Sequence, residues 1–184
     1  MTPDPDDSRR WLDDDAALRA AADDRRESDV AVSDLVPAEW AGISLLDRLR
    51  AACGRRIAVT VTDGVTVDGL VVEVGATWLL MSSPTVDTVI ALAELVSLTG
   101  VGSPTPDAIA TRLLGPGTVW REWARGQRRA RWALKDGRLT TGSVWRVGSD
   151  ALDLVQHPLD RVARAADQRV VIPFTSIRWA ASPN

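Results

Sequence analysis

The chain has 184 residues, 45% of them hydrophobic, enough for one medium core or two small ones. A formal net charge of -3 gives no global attraction to nucleic acid or anionic lipid, and no run of about 18 apolar residues is present to span a bilayer. With Cys53 as the only cysteine, an internal disulfide and a cysteine-based zinc site are both excluded.

Residues 1–44 read as an acidic N-terminal arm, partly helical or disordered. It opens with Pro3 and Pro5 and mixes many aspartates with Arg9, Arg10, Arg19, Arg25 and Arg26. Trp11, Leu12 and Leu18 form only a thin stripe at helical spacing. The start lacks the basic-then-apolar layout of a secretory signal, so a cytoplasmic location is expected. Leu45, Leu46 and Leu49 then predict a short amphipathic helix stopped at Gly54.

From Arg56 the period becomes two. Ile57, Val59 and Val61 alternate with polar or small residues, and Asp63-Gly64 is a hairpin signal. Further strands are expected at about 67–74, 78–82, 86–92 and 95–98, with a one-turn connection at Ala93-Glu94 and a parity slip at Gly75. Gly102, Pro104 and Pro106 mark residues 101–116 as a linker.

The same grammar then returns. Gly64, Gly69 and Gly75 recur as Gly137, Gly142 and Gly148; the differences 137 − 64, 142 − 69 and 148 − 75 are all 73. Val119, Trp120 and Trp123 repeat the leading helix, ending at Gly126, and Ala130, Trp132 and Leu134 stand where Ile57, Val59 and Val61 stood. Val171 to Ile177 aligns with Val89 to Leu95 at an offset of 82 (171 − 89), so the second copy carries an insertion between its third and fourth strands, at about 157–168. An enlarged loop is a place where one copy acquires a private function.

A short helix, a strand, an Asp-Gly turn, Gly-x-Val-x-x-Val-Gly, a Leu-rich third strand and a closing Ile-Pro-Phe-x-x-Ile strand together resemble the Sm-like (LSm) small β-barrel, whose grammar bacterial SH3-like barrels share. The similarity covers about 45–100 and 117–180, and is closer to tandem barrels of uncharacterised actinobacterial proteins than to a ring-forming Sm subunit. It implies a mainly β fold with short helices: a first five-stranded barrel over 45–100 and a second over 117–184, each preceded by a helix. The RNA-binding signature of Sm proteins is not matched. Gly75 and Gly148 stand at its Asp position, Trp78-Leu79 and Ala151-Leu152 near its Asn, and Ala91-Leu92-Ala93 and Pro173-Phe174-Thr175 where an Arg-Gly pair is expected.

Reactive groups are few. His157, the sole histidine, precedes Pro158 in an expected exposed loop, too isolated to form a Ser/His/Asp or Cys/His set. Cys53 reads as a small packed hydrophobe. The glycine pairs at 100–102 and 115–117 lack the Lys-Ser/Thr ending of a phosphate loop. The expectation is no enzyme, no cofactor and no metal.

One segment has chemical direction. Between Arg112 and Arg146 nine cationic residues face only Glu122 and Asp136. Arg129, Arg131, Lys135, Arg138, Trp145 and Arg146 are the candidate nucleic-acid-binding residues, a basic ladder with an aromatic beside it. Against this stands a composition with one lysine, one asparagine and no tyrosine, which suggests a GC-rich genome and arginines set by codon usage. Two main readings follow. The first is a non-catalytic tandem-barrel protein acting through protein-protein contacts, with exposed tryptophans and barrel edges as its surface and a homodimer as one outcome. The second is an RNA- or single-stranded nucleic-acid-binding module using the second barrel's basic face. An enzyme or small-ligand binder using a cleft between barrels is a third and weaker reading, and no membrane partner is expected.

Overall fold

A computed structural model describes residues 42–102 and 115–184, so the acidic arm up to residue 41, Arg112 and most of the linker lie outside the described residues. The described residues from Ser44 onward belong to one compact unit.

Helix α1, Leu45–Ala51, starts where the Ser44 hydroxyl accepts the Asp47 amide, and it buries Leu49. Five strands follow: β1 (Arg56–Val61), β2 (Thr66–Val74), β3 (Trp78–Ser82), β4 (Val86–Ala91) and β5 (Leu95–Thr99), with a single 3-10 turn, Leu92–Glu94, before β5. Helix α2, Thr118–Arg125, opens the second half. Then come β6 (Arg129–Leu134), β7 (Leu139–Val147), β8 (Ala151–Gln156), β9 (Arg169–Pro173), a 3-10 turn at Phe174–Ser176 and β10 (Ile177–Pro183). The starts of α1, β1, β2 and β3 all map onto α2, β6, β7 and β8 by the 73-residue shift, and the two 3-10 turns map by 82.

The hairpins form for local reasons. Gly64 and Gly137 adopt φ values of +79° and +83°, open to glycine at little cost. The preceding aspartate in each accepts an amide two residues on, Val65 to Asp63 and Arg138 to Asp136. The parity slip expected at Gly75 falls earlier. Register shifts between Val71 and Glu73, and equally between Val144 and Arg146, so the extra residues are Val72 and Trp145. Gly75 instead makes room for a ring, since Trp78 packs where a Cβ would stand.

Strands pair antiparallel in the order β5-β1-β2-β3-β4-β10-β6-β7-β8-β9. Two separately closed barrels were expected; the structure instead has one continuous ten-stranded sheet that does not close. The physical reason is where β4 spends its outer edge. Rather than meeting β5 of its own half, it pairs with β10 of the other, Trp179 opposite Ile90 and Ala180 opposite Val89.

The two cores interlock at that junction. Trp78 and Val89 of the first half pack with Trp120, Trp123, Trp132 and Leu154. Ala133 and Trp179 of the second half pack with Leu49, Val59, Leu79 and Ile90. Both cores are therefore built from both halves.

Candidate functional site

The residues expected to form one basic ladder are divided among three concavities. Arg129 and Arg131 do project outward from β6, opposite Ser143 and Thr141, while Ala130 and Trp132 point into the core. Arg129 shares a cleft of about 460 Å³ with Ser143, Trp145 and Val162. Arg131 lines a separate apolar groove of about 330 Å³ with Val65, Val67 and Trp179. Lys135 and Arg138 line a third, of about 420 Å³, against Val171 and Ile172 of β9. Arg146 is exposed on β7.

Several of these cations already have partners. Lys135 lies 3.6 Å from Glu94, and Arg138 donates to Asp136 at 2.6 Å. Arg169, which no sequence pattern singled out, places its guanidinium 4.9 Å from the Trp145 ring centroid. The insertion loop is tied down too. Asp167 accepts a bidentate pair from Arg161 and the Arg164 amide, and these bonds hold its carboxyl well below the ordinary carboxylate range.

The tryptophans are a correction to the expected adhesive surface. Trp120, Trp123 and Trp132 form a buried cluster with centroids 5.1 to 6.1 Å apart, and Trp78 and Trp179 are buried as well. Among the described residues Trp145 alone is exposed, at 51%.

His157 is a second correction: it is 4% exposed, not a surface loop residue. Its Nδ1 lies 2.8 Å from the Pro158 carbonyl, which can only accept, so Nδ1 carries the proton. Nε2 then accepts the Ser143 hydroxyl at 2.7 Å. Both ring nitrogens are engaged, and the bond fastens the insertion to β7. Cys53, expected to be packed, is exposed.

A polar network that the sequence did not reveal spans the junction. Glu94, buried in the first half, accepts from Thr62 at 2.5 Å and from Arg178 Nε at 3.3 Å. Arg178 also donates to Thr62 at 2.8 Å and lies 3.5 Å from Asp63, which accepts the Trp179 indole N–H at 3.0 Å as well as the Val65 amide. Burial pushes both carboxyls up. The Trp179 and Val65 bonds with Arg178 at Asp63, and Thr62, Lys135 and Arg178 at Glu94, outweigh it and hold both below their ordinary values. Arg128 and Asp87 add an ion pair of 2.7 Å on the same seam. None of these pairs is close in sequence, so spacing carried no signal of them.

The sheet ends in two outer strands, β5 and β9. Each carries an exposed valine, Val96 at 63% and Val171 at 70%. Among the described residues no three His, Cys, Asp or Glu side chains gather as a metal site, and no helix is long and apolar enough to cross a membrane. No family model matches the chain, and no curated protein or solved structure is significantly similar to it.

Proposed function

We propose that this protein is a non-catalytic interaction module that binds protein partners through the ends of its sheet. The observation that carries the reading is the β9 edge. A strand end presents unpaired backbone groups, and Val171, 70% exposed, adds apolar surface beside a concavity lined with charged groups. Natural sheets usually blunt such edges; here, among the described residues, only Arg169 and Pro173, at the two ends of the strand, do so. His157 supports the non-catalytic half of the reading, because its ring is fully engaged in holding a loop.

The test is affinity capture from the native cell with the full chain, comparing wild type, Val171→Lys and Val96→Lys, each with and without nuclease. The expected result is a set of proteins lost with Val171→Lys and indifferent to nuclease. Capture that disappears with nuclease would replace this reading with the second one.

That second reading is single-stranded nucleic-acid binding, favoured by Arg129 and Trp145 sharing one cleft. Fluorescence titration with short single strands at low salt addresses it directly. Quenching of Trp145 that weakens steeply with added salt, and on replacing Arg129, would support it. Arg169 already stacked on the Trp145 ring competes for the face a base would use, and no quenching is the expected outcome.

A further inference from the structure

In the first half β10 lies against a cleft whose equivalent in the second half has no strand upon it among the described residues. Trp179 of β10 lines one groove with Val65, Val67 and Thr88 and donates its indole N–H to Asp63, while its neighbour Arg178 reaches Thr62 and Glu94. Shifted by 73 and 82 residues, Asp63, Val65, Val67, Thr88 and Glu94 become Asp136, Arg138, Thr140, Val170 and Ser176. Those five residues line the 420 Å³ cleft beside β9. β10 thus lies against the first cleft, and the equivalent edge of the second has no strand upon it among the described residues.

Val171 points the same way. Its counterpart Val89 is 1% exposed because β10 and the second core cover it, Ala180 lying directly opposite. Without such cover Val171 is 70% exposed. The two positions differ in what lies beside them.

The charge of the cleft has changed sign between the copies. Thr62, Asp63, Val65 and Glu94 carry two negative charges and receive an arginine. Lys135, Asp136, Arg138 and Ser176 carry one negative and two positive, Arg138 being paired with Asp136 and Lys135 lying 3.6 Å from Glu94. An arginine at the equivalent point would meet cations; a carboxylate would be welcomed. The aromatic place retains its acceptor in Asp136, and Arg138 now supplies a cation for the ring face.

We infer that the β9 edge and its cleft form a strand-acceptor site for an extended segment of another protein, one bearing an aromatic residue directly preceded by Asp or Glu. The segment runs antiparallel to β9 in the register of the internal junction, its aromatic residue opposite Ile172 and the next residue opposite Val171. The inference rests on the protein-binding reading above and names its partner's chemistry. Strand β5 of a second copy is the poorer occupant. The residues of β5 equivalent to Arg178 and Trp179 are Val96 and Ser97, which offer neither acid nor ring, and the Asp87–Arg128 ion pair would be replaced by Arg169 against Arg55.

Two synthetic heptapeptides test this on the full-length protein: one with the β10 sequence Ile177–Pro183, and one with Glu in place of its arginine. Calorimetric titration is expected to give the acidic peptide a dissociation constant below about 1 mM and at least about tenfold tighter than the other. Amide exchange should slow along 169–173 and stay unchanged along β1. Val171→Lys, which alters an exposed side chain, should weaken the acidic peptide about tenfold or more, and Arg138→Glu should remove the preference between the two. No binding of either peptide at about 1 mM, or equal binding indifferent to Val171→Lys, overturns the assignment. So does a concentration-dependent oligomer in native mass spectrometry that Val171→Lys dissociates, since the edge would then serve a second copy. If both peptides fail while captured proteins are still lost with Val171→Lys, the cleft assignment falls and the edge-binding reading stands.

Discussion

At the scale of single residues, the glycines of the repeat separate into two physical kinds. Gly142 has no room for a side chain, because an added Cβ would overlap the Val155 carbonyl oxygen across the β7–β8 ladder; Gly69 is similar, with Ser82 O only 2.7 Å away. Gly64 and Gly137 have open space around them and are needed only for their positive φ. Gly142→Ala should therefore cost about 3 kcal/mol or more, since backbone cannot retreat from backbone. Gly64→Ala should cost about 1–2 kcal/mol, the penalty of the left-handed region. Urea unfolding of both variants measures the contrast, and equal losses would contradict it. His157 makes a similar point about burial. His157→Ala removes a buried ring and leaves the half-buried Ser143 hydroxyl without its acceptor, and should destabilise the protein by about 1–3 kcal/mol in the same assay.

At the scale of elements, β10 holds the junction through Arg178 and Trp179, and the groups they contact titrate. Asp63 and Glu94 are held below their ordinary values in the folded protein. Their stabilisation is fully present above the ordinary carboxylate range and is lost as pH falls through the lowered folded values. The urea midpoint should accordingly stay level near neutrality and decline from about pH 5 downward. Arg178→Met should flatten the decline that these carboxyls cause, and an unchanged pH profile in that variant would exclude the network as its source. Much at this scale was legible beforehand. Alternating apolar residues, Asp-Gly turns and the shifts of 73 and 82 residues marked β1 to β9 and both helices of the described residues, because those signals are local; the Ile-Pro-Phe-x-x-Ile stretch, expected as one closing strand, is instead the end of β9, a 3-10 turn and the start of β10. Bulge placement was not: Val72 and Trp145 are squeezed out by pairing with β3 and β8, whereas Gly75 only looked like the weak point. The two equivalent clefts were invisible for the same reason, as each is assembled from a hairpin, a distant strand and a 3-10 turn.

At the scale of the whole molecule, one choice of partner decides the architecture. A five-stranded half whose β4 returned to its own β5 would be complete, and the chain would be two beads on a linker. With β4 committed to β10, each half supplies part of the other's interior: Trp78 and Val89 in one direction, Ala133 and Trp179 in the other. Nothing in the periodicity of either copy distinguishes these outcomes, since β4 is equally apolar in both. The energetics do distinguish them. Separating the halves would expose two tryptophans and a valine, at about 1.5–3 kcal/mol for each large apolar side chain. It would also take Arg178 away from Glu94 and Asp63, removing the hydrogen bonds and ion pairs that tie β10 to the first half. Small cores of this size hold only a few kcal/mol in total, so neither half should survive alone. Full-length protein should unfold by heat in a single transition with equal calorimetric and van't Hoff enthalpies. Fragments 42–102 and 115–184 expressed separately should lack cooperative melting and near-ultraviolet tryptophan dichroism, and should recover both when mixed. Two fragments that melt cooperatively alone would mean that the interlocked core is an accessory to two self-sufficient folds.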